Sequence, residues 1–191
     1  RTPFLKMRGV PGPFSAADLG VSAAKALLAK QPFSPDAFDE VIVGCAGPSE
    51  EEANIARIIA LRSGCGKKMS AYTVQRNCAS GLQAIDDATK SIQLGRSQLV
   101  LAGGCEAMSR APLLYNKAMV YWLSKLNQAK SPGQKLQRML KFRPNFLVPV
   151  IALLKGLTDP VVNMNMGQTA EELAYLFNIT RTQMDEYAAN S

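Results

Sequence analysis

"TVQRNCASGLQAIDDATKSIQLG", Thr73–Gly95, is the stretch on which the fold turns. It opens as the end of the short apolar, partly β-branched run Ala71-Tyr72-Thr73-Val74, which reads as a buried strand. It continues with Leu82, Ile85, Thr89 and Ile92 at three- and four-residue spacing, the mark of an amphipathic helix. Asn77 reads as the N-cap and Gly95 as the stop. Cys78 then falls in or beside the first helical turn, where unpaired N–H groups and the helix dipole favour an anion. A thiol there can drop below its free pKa of about 8.5 and act as a thiolate nucleophile. Spacing alone leaves a second reading open: a small buried hydrophobe beside a helix start.

Working outward, the same strand-to-helix grammar recurs. Ser15-Ala-Ala-Asp18 opens a helix to about Lys30, with Leu19, Ala23, Ala26 and Leu27 on its apolar face. "DEVIVGCAG" (39–47) reads as a strand buried on both faces. Ser49–Glu52 reads as a capping box for a helix through about Leu61. "SAYTVQ" (70–75) and "SQLVLAGG" (97–104) supply two more strands. Alternating strands and helices with short links imply an α/β layered domain with a largely parallel sheet, spanning residues 1–111. In such sheets ligands gather where strand carboxyl ends meet helix starts, and Cys78 is at such a junction. From Pro112 the pattern becomes a mostly helical second part, residues 112–191. In "GQKLQRMLKF" (133–142), Leu136, Met139 and Leu140 share a face opposite Arg138 and Lys141. Thr169 with Glu172, and Thr180 with Gln183, read as caps of two final helices.

Composition narrows the chemistry. The 191 residues are 47% apolar and 19% charged, a folded rather than a disordered balance. The apolar run "FLVPVIALL" (146–154) is about half of the ~20 residues that a membrane span requires. The opening "RTPFLKMRGVPGPF" is basic and proline-rich without an apolar core, so no signal peptide is expected there. Four cysteines (Cys45, Cys65, Cys78, Cys105) form no C-x-x-C pair, which argues against a zinc site and, at this density, against a disulfide scaffold. The absence of histidine has a sharper consequence, because a cysteine nucleophile usually needs a base. The base for Cys78 must lie elsewhere.

The net charge of +7 is uneven. Residues 107–158 hold nine Lys and Arg and no acid, whereas residues 1–106 hold twelve against ten, and residues 159–191 one against five. Such a block points to an anionic partner.

With these pieces in place, the sequence resembles the thiolase family. The resemblance rests on "RTPF", "NIARIIALRSG", "NCASGLQAI", "LVLAGGCEAMSRAP", "MGQTAEELA" and "ITRTQMDEYAANS", in the family's order across essentially the whole chain. It implies a layered α-β-α half-domain (1–111) and the start of an inserted helical loop domain (112–191). It implies acyl transfer between CoA thioesters: thiolytic cleavage of 3-ketoacyl-CoA by CoA, or the reverse condensation, through an acyl-cysteine. Cys78 maps onto the acyl-accepting cysteine, and Cys45, Cys65 and Cys105 have no counterpart role. Met166 maps onto the acyl or pantetheine pocket, a core methionine between two helices being its other reading. The family's "GHP" histidine motif and its "C-x-G-G-G" second cysteine are both missing, as is the strand that leads into "RTPF". The chain therefore reads as an N-terminal fragment that does not turn over alone.

The long connection between "MSRAP" and "MGQTAE", with "GLTDPVV" ahead of "NMNMGQTAEELA", resembles the β-subunits of fatty-acid oxidation (trifunctional) complexes. Asn165, where many short-chain thiolases carry histidine, points the same way. Implied partners are acyl-CoA and CoA, a homodimer or higher oligomer, and an oxidation-complex α-subunit or a membrane surface against 107–158. CoA enters as substrate, and no further cofactor or metal is expected. The implied compartment is the bacterial cytoplasm or the mitochondrial matrix. Two other classes share features: a ketoacyl-synthase-like condensing enzyme, whose cysteine usually has different neighbours, and a catalytically silent module that docks a membrane or acidic subunit. Nucleic-acid binding has charge in its favour but no motif.

Overall fold

Three five-residue strands place the carboxyl ends of the sheet beside Cys78. β1 (Glu40–Gly44) is central, with β2 (Ser70–Val74) and β3 (Val100–Gly104) on either side, both parallel to it. Glu40 aligns with Ser70 and with Val100, and Gly44 with Val74 and with Gly104. The computed structural model describes residues 1–3 and 10–191, so Phe4 of the "RTPF" motif lies outside the described residues.

The helices cover both faces. α1 (Ala16–Leu28) and α2 (Ile55–Arg62) pack together, and α2 lies on β1 and β2. α3 (Ser80–Gln93) covers the opposite face. Strand alternation sorts the core accordingly: Val41, Val43, Cys45 and Leu101 point toward α1 and α2, and Ile42, Val74, Val100 and Ala102 toward α3. Val41 and Ile42 are fully buried on opposite sides of one strand, each contributing about 1.5–3 kcal/mol. This is the expected layered α/β unit with its parallel sheet.

Several local readings need correction. The buried face of α1 is Ala16, Ala17, Val21, Ala24 and Leu28, and Leu27 is exposed. Ser15 caps α1 in a capping box with Asp18, as its spacing predicts. Glu52 does not close a box with Ser49, because its carboxylate is taken by α1, accepting from Ser15 Oγ and from Ala17 N at 3.1 Å. Residues 50–52 form a 3₁₀ turn, and Asn54 caps α2 through Arg57 N instead.

α3 departs most. The positions read as its core stripe, Leu82, Ile85 and Ile92, are exposed, and Ser80, Ala84 and Ala88 face the sheet. Close approach of helix to strands selects small residues here, and periodicity of large apolar residues marks the other side.

Residues 1–111 and 112–191 form two compact units. The second holds α4 (Lys117–Asn127), α5 (Pro132–Met139), α6 (Ala152–Gly156), α7 (Met166–Leu176) and α8 (Arg181–Asn190). A short antiparallel pair, β4 (Leu113–Leu114) with β5 (Val150–Ile151), accompanies them. Asn116 caps α4 through Met119 N, and its amide donates to the carbonyls of Asn145, Phe146 and Val148. Trp122, Phe142 and Phe146 pack as a cluster with centroids 5.2–6.4 Å apart, and the indole donates to Arg138 O at 2.9 Å. Around α5 the expected polarity is inverted: Leu136, Met139 and Leu140 are exposed, and Arg138 is half-buried. The α7 cap is Asn165 with Gln168 rather than Thr169, whereas Thr180 with Gln183 caps α8. No helix among the described residues is long and apolar enough to cross a membrane.

Candidate active site

The segment between β2 and α3 is an elbow, not a helix start. α3 begins at Ser80, after Ala79, so Cys78 precedes it by two residues and Asn77 is not its cap. Asn77 has a left-handed backbone, φ 47°, which asparagine tolerates better than most residues. Ser80 locks the turn. Its hydroxyl accepts from Arg76 N at 2.8 Å and donates to Asn77 O at 2.6 Å, and its side chain is nearly fully buried. Ala79 N and Ser80 N are already engaged by Arg76 O and Asn77 O, so neither is free for an incoming anion. Cys78 is presented by the bend itself. Its thiol is exposed at the carboxyl edge of the sheet.

Two glycines make the seat for this elbow. A Cβ on Gly44, at the end of β1, would overlap the Ser80 carbonyl group and lie 2.5 Å from Gly81 N. A Cβ on Gly104, at the end of β3, would lie 3.0 Å from Gly81 Cα and 3.3 Å from Gly44 O. The backbone at the start of α3 thus rests directly on the ends of two strands. Only glycine allows that approach.

A set of side chains ties the neighbouring loops to the elbow. Glu106, just past β3, accepts from Ala46 N at 2.8 Å and Gly47 N at 3.3 Å, holding the loop after β1. The Gln75 amide donates to Ala46 O at 3.4 Å and to Asn77 Oδ1 at 3.3 Å. Arg76 donates to Gln83 Oε1 at 2.7 Å along the first turns of α3. Nothing in the local sequence pattern marks Gln75, Ser80 or Glu106. The small-residue runs Gly103-Gly104 and Ala79-Ser80-Gly81 were the one available sign of a close backbone approach.

The other thiols are set apart chemically. Burial, followed by the charge of Glu106, pushes the Cys45 thiol up to about 11. Burial, followed by the charge of Cys45, pushes Cys105 up to about 12, and burial also raises Cys65. All four cysteines are free. Cys45 donates to Glu106 Oε1 across 3.7 Å.

Met166 is the first residue of α7 and half-exposed, so it does not fill a core between helices. It belongs to the second unit and Cys78 to the first. Two clefts open at the amino ends of the strands, around Asp36, Asp39, Cys65 and Met69 and around Glu40, Tyr72, Lys90 and Ser97; neither includes Cys78. Neither lies at the carboxyl ends, where parallel sheets gather their ligands. Among the described residues no three His, Cys, Asp or Glu converge as a metal site.

Comparison with known proteins agrees with the geometry. Residues 1–191 match the family model described as thiolase, N-terminal domain. A 3-ketoacyl-CoA thiolase from Pectobacterium carotovorum is 33% identical over all of this chain and 43% of its own length. The mitochondrial trifunctional enzyme subunit beta of Mus musculus is 36% identical over 91% of this chain and 36% of its own. A crystal structure of human mitochondrial 3-ketoacyl-CoA thiolase in complex with CoA superposes with a TM-score of 0.73 at 32% identity, covering 92% of this chain and 40% of the human one. The chain spans less than half the length of the curated relatives it matches. Its sequence, its layered sheet and these matches together place it in the thiolase family, as that family's N-terminal domain.

Proposed function

We propose that the protein to which this chain belongs transfers acyl groups between CoA thioesters, with Cys78 as the nucleophile. In the cleavage direction the Cys78 thiolate attacks the 3-keto carbon of a 3-ketoacyl-CoA. The C2–C3 bond breaks, acetyl-CoA leaves as its carbanion and takes up a proton, and the acyl group stays on sulfur. The thiolate of a second CoA then attacks the acyl-cysteine, forming the shortened acyl-CoA and releasing Cys78; the condensation is the same path reversed. This chain contributes no histidine, so a histidine that moves those protons would come from outside its 191 residues. CoA is a substrate, and no other cofactor enters.

The observation that carries this reading is the exposed thiol of Cys78 on a glycine-seated elbow at the carboxyl edge of the sheet. Met166 is assigned to the acyl or pantetheine pocket on the strength of the family resemblance. The test is acyl-enzyme trapping and thiolysis in the full-length protein. Wild type should carry an acyl group on the Cys78 peptide, and Cys78→Ala should lose several orders of magnitude in turnover. Near-normal turnover in Cys78→Ala would sink the assignment.

Residues 107–158 support a further part of the proposal: docking of an anionic partner, an oxidation-complex α-subunit or a lipid surface. Their nine cations stand without one acid beside the exposed Leu136 and Leu140. Among the described residues the outer edges of β2 and β3 carry no strand partner, which supports a homodimer or higher oligomer. A mitochondrial matrix or bacterial cytoplasmic location belongs to the same proposal, and the name of the mouse relative supports a mitochondrial one.

A further inference from the structure

We infer that Gln75 and Glu106 are positioning residues for Cys78, acting through Asn77 as one hydrogen-bonded relay. The inference deepens the reading of Cys78 as nucleophile and rests on it.

The relay crosses all three strand ends. Glu106 follows β3 and holds Ala46 and Gly47, which follow β1. With its two N–H groups fixed to one carboxylate, this loop aims Ala46 O at Gln75, which follows β2. Both hydrogens of the Gln75 amide are then spent, one on Ala46 O and one on Asn77 Oδ1. Asn77 is the residue immediately before Cys78, and its left-handed φ fixes where the Cys78 Cα points. A left-handed non-glycine residue persists only when its surroundings over-determine it. Here Ser80 holds the Asn77 carbonyl, and Gln75 holds its side chain. Ser80 belongs to α3 itself. Gln75 and Glu106 are the two side chains whose hydrogen bonds link the loops after the other strands to the thiol's own turn, Glu106 accepting from the buried Cys45 thiol as well.

The test is a double-mutant cycle in the full-length protein with near-isosteric changes. Gln75→Glu removes both donors, and Glu106→Gln replaces the carboxylate that accepts from Ala46 and Gly47. Three quantities are read: kcat and KM for thiolysis of a 3-ketoacyl-CoA, the iodoacetamide rate at the Cys78 peptide at pH 7.5, and the thermal midpoint. Displacing a reacting atom by about 1 Å can cost about 100-fold, so roughly a 10-fold loss in kcat is expected in each variant, with KM within twofold. Alkylation of Cys78 should slow at least threefold, because a relaxed elbow turns the thiol away part of the time. Members of one relay are not additive, so the double variant should be no worse than the weaker single within about twofold. Alkylation within twofold of wild type in both variants overturns the relay. So does a double variant whose losses multiply, or a midpoint that falls while kcat and alkylation do not. Were Cys78→Ala to keep its thiolysis, the nucleophile reading would fall, and the alkylation cycle would still judge the relay by itself.

Discussion

Gly44→Ala is the sharpest probe of the elbow, because the added methyl has nowhere to go. An alanine Cβ would overlap the Ser80 carbonyl and stand 2.5 Å from Gly81 N, against an ordinary contact of 3.4 Å or more. Both obstacles are backbone, so no side chain can rotate aside. The start of α3 must retreat by at least about 0.9 Å, and Cys78 is carried on the same turn. Overpacking of this kind costs about 1–3 kcal/mol. In a domain of this size each kcal/mol lowers the thermal midpoint by about 2–4 °C. A displacement near 1 Å at the nucleophile predicts up to about 100-fold loss in kcat. The assay is thiolysis by the full-length enzyme, with iodoacetamide labelling of Cys78 and a urea midpoint beside it. Gly103→Ala is the matched control one strand away: a Cβ there meets nothing within 4 Å, and its rate should stay within about threefold of wild type. Gly44→Ala with wild-type midpoint and rate would refute the argument that backbone contact seats the elbow. Equal damage from Gly103→Ala would refute it too.

Three further outcomes follow from the same observations. Iodoacetamide at pH 7.5 should label Cys78 first, since it is exposed, whereas thiols at about 11 and about 12 hold roughly 0.03% and 0.003% thiolate at that pH; faster labelling of Cys45, Cys65 or Cys105 contradicts this. Raised thiol values in the fold mean that the unfolded chain loses these protons first, so stability present below about pH 8.5 should decline as pH rises toward about 12. Urea midpoints at pH 8 and 10.5 should show the decline, and Cys45→Ala with Cys105→Ala should flatten it; an unchanged slope in that pair removes the thiols as its cause. Changing the exposed Lys125, Lys135 and Lys141 to Gln should weaken capture by anionic vesicles or by an α-subunit, and wild-type capture should fade with salt, because charges are screened within about 8 Å at physiological ionic strength. Equal capture by the variant, or indifference to salt, would exclude 107–158 as the docking element.

How far the sequence could be read depended on whether the deciding interaction was local. Val41-Ile42-Val43 and Ala71-Tyr72-Thr73-Val74 are strands because their own side chains suit a sheet, and both were legible as strands, although the second, at the sheet's edge, is half-exposed rather than buried. Ser15 with Asp18 and Thr180 with Gln183 satisfy each other within one turn, and they too were legible. Ser49 with Glu52 has the same spacing and fails, because Ser15 and Ala17, 35 or more residues away, claim the carboxylate. The face of α3 was misjudged for a related reason: Ala84 and Ala88 pack against the sheet because they are small, a property that hydrophobic periodicity ranks below Leu82 and Ile85. The sequence marks Cys78 as a candidate, but not its setting. Asn77 turns left-handed through contacts with Gln75 and Ser80, and the elbow rests on Gly44 and Gly104, which no window around residue 78 contains.

The glycine seat also fixes an order of assembly. Register pairs join residues 30 positions apart between β1 and β2 and 60 apart between β1 and β3, so the sheet closes by non-local pairing, and only once β3 has been made. A nascent chain that has emerged only to Gly95 already carries Cys78, Asn77, Ser80 and Gly44. It lacks Gly104, against which Gly81 rests, and Glu106, which holds the loop after β1. The bonds of the turn itself, among Arg76, Asn77 and Ser80, need nothing beyond Gly95, and the seat beneath them is complete only when the third strand docks.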